Sequence, residues 1–137
     1  IPDNAAEDSF SFLPCLKGAE EAIRPFTIHH SISGVFAIRK GDWKLILNKG
    51  AGGGWGGSWE KTKTTAKLVQ LYDMKDDPGE TKNLEEAHPE IVKELVDDLA
   101  KAFRDGRTTP GEKQSNEGWP YRDGAIQAKF PQLKNPD

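Results

Sequence analysis

The sequence predicts an α+β fold: a small antiparallel sheet of about four strands with one long C-terminal helix packed on a face, preceded by a short N-terminal helix and followed by an extended C-terminal tail. Three observations carry that expectation. Val35 to Ile38 and Trp43 to Leu47 are β-rich runs on either side of the short Lys40-Gly41-Asp42 break, the pattern of an antiparallel hairpin. Val92, Leu95, Val96, Leu99 and Phe103 recur at the i, i+3, i+4 spacing that lines one stripe of a helix. Asp77-Pro78-Gly79 supplies a tight turn between a last strand and that helix.

Taken in order, residues 3–18, "DNAAEDSFSFLPCLKG", read as a short helical entry. Asp8 or Ser9 can cap it, Phe10, Leu13 and Leu16 share helical spacing, and Gly18 ends it. Pro14 inside that pattern implies a kink or a break into two turns. "FTIHHSI", 26–32, reads as the first strand and "KLVQLYDM", 67–74, as the fourth. In the third strand Trp43, Leu45 and Leu47 place one apolar face inward. Between the third and fourth strands lies a long glycine-rich loop, "NKGAGGGWGGSWEKTKTT".

The connector "LYDMKDDPGETKNLEEAHPE", 71–90, buries Leu71 and Tyr72 and turns at Pro78-Gly79, where glycine is able to take a positive φ. Asn83 closes a second local turn and Leu84 plugs the core. The helix is expected from about Pro89 to Arg104, with Pro89 at its first position, Glu90 and Glu94 toward the positive end and Gly106 as its stop. The chain therefore divides as one domain over 1–137: entry helix and linker, 1–24; sheet plus helix, 25–105; docking tail, 106–137.

Composition narrows the function. The chain has 137 residues, 35% hydrophobic and 30% charged, which is enough for one buried core. A net charge of −3 offers no electrostatic attraction for nucleic acid. No apolar run approaches the roughly 20 residues of a membrane span. A single cysteine excludes an internal disulfide and a zinc cluster. The opening Ile1-Pro2-Asp3 reads as a processed chain or an excised fragment, and the incomplete chemistry described below favours a fragment.

Several segments together are more specific than any alone. "LYDMKDDPGETKNL" resembles the "LYDL-x-x-DPGE-x-x-NL" segment of type I sulfatases, the arylsulfatase family. "EDSFSFLPCLKG", "HHSISGVFAIRKGDWKLIL" and "GRTTPGEKQSN" resemble that family's entry helix, hairpin and tail in the same order, over about residues 5–116. The resemblance implies the smaller C-terminal subdomain, packed beside a large N-terminal α/β domain and helping to shape its substrate pocket. It further implies, for that other domain, Ca²⁺ and a formylglycine nucleophile made from a Cys-x-Pro-x-Arg motif. It also implies a sulfated carbohydrate or aryl sulfate as substrate, and a periplasmic or secreted location.

This chain does not carry that chemistry. Cys15 sits in "LPCLKG" and does not match the formylglycine motif; it is expected to be a small buried core residue. There is no Walker loop, nucleophile elbow or His-Glu-x-x-His pair. No catalytic residue and no metal ligand is therefore assigned, and the chain alone is expected to be inactive.

The candidate substrate contacts are His29, His30 and Ser31, with Trp55 and Trp59 on the glycine-rich loop. Successive strand residues face opposite ways, so at most one histidine readily faces a given cleft and donates a hydrogen bond there; the other reading is a histidine satisfied within the sheet or domain joint. The tryptophans either stack on sugar rings or fold back onto protein. Arg107 is read as a helix-end cation or a contact to the other domain. The bare joint predicts an apolar patch near the entry helix, the tail or one sheet face, and self-association through it. A free-standing carbohydrate- or protein-binding module is the alternative to a sulfatase subdomain.

Overall fold

The computed structural model describes residues 5–31, 34–49, 67–115 and 123–134. Its described elements are α1 (Leu13–Leu16), β1 (Thr27–His30), β2 (Phe36–Lys40), β3 (Trp43–Ile46), β4 (Gln70–Asp73), α2 (Pro89–Asp105), α3 (Gly124–Lys129) and a 3-10 turn at Pro131–Leu133. The four strands form one sheet in the order β1-β2-β3-β4, each pair antiparallel.

Register explains which face is buried. Ile28, Ile38, Leu45 and Leu71 pair in a row across all four strands. Ile38, Leu45 and Leu71 are fully buried, and they meet Val92, Leu95, Val96, Leu99 and Phe103 of α2 in one core. Alternation puts Ala37, Ile46 and Tyr72 on the opposite face, where they form a smaller cluster with Val35 and Met74. The predicted architecture of sheet, long helix and short N-terminal helix is thus the one observed.

Helix α2 begins where proline permits and ends where glycine is required. Pro89 occupies its first turn, and Gly106 closes it with φ of 62°. No side chain caps its first amides. Instead His88 packs its ring 5.0 Å from that of Trp43 and meets Glu90 at 3.3 Å, which seats the helix start on β3. Farther along, Lys40 of β2 reaches Glu94 at 2.7 Å and Asp98 at 2.8 Å, tying sheet to helix.

The connector between β4 and α2 departs from expectation in its details. Glu80, not Gly79, adopts the left-handed conformation, with φ of 55°. The cause is Asp77, whose carboxylate accepts from Thr81 N, Lys82 N and Thr81 Oγ1 at 2.8, 2.8 and 2.9 Å and so winds the chain tightly after Gly79. Asn83 does more than close a local turn. Its Oδ1 accepts from Leu71 N and Glu85 N, and its Nδ2 donates to Val69 O, so one side chain completes the outer edge of β4. Leu84 N then donates to Leu71 O at 2.8 Å and delivers its side chain to the core.

The entry helix is shorter than its apolar spacing implies. Pro14 lies in its first turn, no side chain caps it, and Gly18 turns out of it with φ of 88°. Every residue of α1 is exposed, Cys15 included, so the buried environment expected for that thiol is corrected: no residue of α1 joins the core clusters. The tail, expected to be extended, is irregular over 106–115 and helical over Gly124–Lys129 and Pro131–Leu133. Asp123 caps α3 by accepting from Ala125 N and Ile126 N, and fully buried Ile126 and Leu133 join the α2 core. The tail therefore docks on this chain's own helix, where Gln132 Nε2 also reaches Asp97 at 3.0 Å.

Candidate functional site

A cleft of about 320 Å³ opens between the free edge of β1, the C-terminal end of α2 and the segment around Asp8. Its construction begins with the strand. Because His30 shares its face with Ile28, it lies on the α2 side of the sheet; His29 lies on the other. The His30 ring stands 5.6 Å from that of Phe36, which meets Phe103 of α2 edge-on at 4.9 Å and 70°. This aromatic series forms a rigid floor leading into the core.

The opposite wall is the "GRTTPG" loop after α2. Arg107 is buried, its Nη1 donating to Glu112 O at 2.8 Å and its Nε and Nη2 to Thr109 Oγ1. A Cβ on Gly111 would stand 2.3 Å from Arg107 Nη1, so glycine alone lets the guanidinium nest there. Thr108 and Thr109 then grip the N-terminal segment. Asp8 Oδ1 accepts from Thr108 N and Oγ1, and Glu7 O accepts from Thr109 Oγ1 at 2.6 Å. Arg107 is thus a buried strut that shapes the cleft wall. The acceptors at Glu7 and Asp8 lie about a hundred residues away in sequence, and no local pattern announces them.

Each expected contact residue has a definite place. His30 lines the cleft, and its Nδ1 donates to Ser31 O at 2.9 Å. That bond fixes the proton on Nδ1 of the neutral ring and leaves Nε2 as an acceptor. Ser31 is committed to the turn into β2: its N donates to Val35 O, and its Oγ accepts from Val35 N at 3.3 Å. His29 borders the same opening, but its charged neighbours are Lys44 and Glu80 on the other face. Burial, followed by the Lys44 charge, holds its imidazole below the ordinary value, against the pull of Glu80. Trp55 and Trp59 lie outside the described residues.

Arg24 and Phe26, which no motif singled out, also line the opening. The Arg24 guanidinium carbon lies 5.1 Å above the Phe10 ring. The cleft thus combines an apolar floor with imidazole, guanidinium, hydroxyl and carboxylate groups at its rim, a composition suited to a polar ligand with a hydrocarbon face. Among the described residues no three His, Cys, Asp or Glu side chains stand together as a metal would require. Neither a calcium cage nor a formylglycine precursor fits the side chains described, so no catalytic step is assigned to them.

Comparison with known proteins agrees with this architecture. Residues 22–132 match the family model described as the C-terminal region of aryl-sulfatase. The chain is 34% identical over 96 residues to the N-acetylgalactosamine-6-O-sulfatase of Bacteroides thetaiotaomicron, a match covering 69% of this chain and 18% of that protein. A solved structure described under the metabolism of multiple glycosaminoglycans by Bacteroides thetaiotaomicron superposes with a TM-score of 0.57 and 33% identity, covering 74% of this chain and 21% of the other. The chain thus spans about a fifth of the length of either relative.

Proposed function

The chain belongs to the family of aryl-sulfatase C-terminal regions, and from that membership we propose that it packs beside a sulfatase catalytic domain and forms part of the wall of its substrate cleft. The observation that carries the proposal is the position of His30, on an aromatic floor at the mouth of the cleft, with its Nδ1 already engaged. Its Nε2 has no partner among the described residues and is the atom that would accept from a sugar hydroxyl. The substrate is a sulfated carbohydrate, and the 6-O-sulfated amino sugar named for the Bacteroides relative is the first candidate. Ca²⁺ and formylglycine belong to the catalytic domain in this reading, and the subdomain supplies binding without bond cleavage. Trp55 and Trp59 are retained as candidate stacking residues on the loop.

The exposed side chains at the start of and along α1 support the packing. Phe12, Leu13 and Leu16 are 62%, 51% and 72% exposed, an apolar surface that a neighbouring domain would cover. The 137-residue chain by itself is then expected to self-associate through that surface. Family membership also supports a periplasmic or secreted location; among the described residues no helix is long and apolar enough to cross a membrane.

Kinetics of the full-length enzyme test the reading. His30→Ala is expected to raise KM about tenfold by loss of one hydrogen bond to substrate, with kcat little changed. His29→Ala serves as the control and should leave both constants near wild type. An unaltered KM in the His30 variant would remove the cleft from the substrate path. The isolated chain should not hydrolyse a chromogenic aryl sulfate.

A further inference from the structure

Arg24 is half-buried at the mouth of the cleft, with its guanidinium held over the Phe10 ring. That contact orients the group and strips part of its water, which strengthens any charge-assisted bond it makes. Two lysines of the sheet are spent on carboxylates, Lys40 on Glu94 and Asp98 and Lys44 on Glu80, whereas Arg39 turns to Gly41 O and does not line the cleft. Among the described residues no carboxylate lies within ion-pair distance of Arg24. The nearby carboxylate on the cleft wall, Asp8, is occupied by Thr108. The cleft thus presents the Arg24 guanidinium over an apolar floor that includes Phe26 and Phe36.

We propose that Arg24 is a specificity-determining residue that reads an acidic substituent, a carboxylate or a sulfate, on the sugar held in this cleft. The ligand class is accordingly an acidic oligosaccharide with at least one anionic group besides the ester to be hydrolysed. A guanidinium takes either anion through paired N–H donors, while the aromatic floor meets the C–H face of the ring. The proposal rests on the reading of the cleft as part of a substrate site.

The test uses the full 137-residue chain and two probes: the disaccharide of glucuronate and 6-sulfated N-acetylgalactosamine, and its carboxyl-reduced, desulfated counterpart. Binding is followed by amide chemical shifts at 24–31 and 102–109, which also report whether each variant remains folded. Wild type should bind the acidic disaccharide about tenfold more tightly than the neutral one, the increment of one charge-assisted contact. Arg24→Gln should erase that preference while retaining the neutral sugar's weak binding, and Arg24→Lys should keep part of it. A tenfold preference that survives in folded Arg24→Gln overturns the role of Arg24 and leaves the cleft reading standing. Absence of shifts with either sugar in wild type overturns the cleft reading itself, and this inference with it.

Discussion

At the scale of single residues, two side chains in the connector take the place of backbone. Asn83 satisfies Leu71 N, Glu85 N and Val69 O at once, so the outer edge of β4 is closed by an amide instead of a fifth strand. Asn83→Ala leaves partly buried strand groups unpaired. It should cost about 2–3 kcal/mol, read from urea unfolding midpoints. Asp77 is a different case, because its contribution depends on charge. Amide bonds from Lys82 and then Thr81 hold its carboxyl below the ordinary 3.8. A lowered folded value means the stabilisation is complete above about pH 4 and is lost as pH falls through the folded value. Asp77→Asn should therefore lower the midpoint at pH 7, and the gap from wild type should close as the pH is taken below 3.8. An undiminished gap at pH 2.5 would show that the carboxylate charge is irrelevant to the turn. "DPGE" announces a turn because proline and glycine have strong local preferences. That Glu80 carries the positive φ was not legible, since it depends on which amides Asp77 captures.

At the scale of elements, period decides what a sequence reveals. Helix α2 was readable almost to its ends because its apolar stripe, Pro89 and Gly106 are all local signals. The hairpin β2-β3 was readable for the same reason. The cleft was only half readable: alternation says that His29 and His30 diverge, but which one faces α2 follows from register with β2. The wall opposite depends on contacts between residues 7–8 and 108–109 that no periodicity encodes. Gly106 joins the two kinds of information. Its φ of 62° marks the helix stop, and a Cβ there would stand 2.3 Å from Gln114 O, where the chain folds back beneath the loop. Gly106→Ala is expected to destabilise by more than the roughly 1 kcal/mol of conformational cost alone, about 2 kcal/mol or above. Thermal unfolding would measure it, and a loss of only a few tenths would mean that the 106–114 segment yields without resistance.

At the scale of the whole molecule, burial is asymmetric. Sheet, α2 and the returning tail share one core that closes around Ile126 and Leu133, whereas α1 and the residue before it extend Phe12, Leu13 and Leu16 into solvent. Burying a leucine-sized side chain contributes roughly 1.5–3 kcal/mol, so a surface bearing three such groups favours whatever neighbour is available. In a full-length enzyme that neighbour is proposed to be the catalytic domain. For the 137-residue chain alone it is expected to be a second copy, and sedimentation at rising concentration should show a monomer–dimer equilibrium. Leu16→Glu should shift that equilibrium toward monomer by at least tenfold. Its unfolding midpoint should stay near wild type, because α1 packs on none of the core. Exposed Cys15 sits on the same surface and could join two copies covalently, so the measurement belongs in reductant. Dimers that persist unchanged in reduced Leu16→Glu would leave α1 without a role as the domain joint.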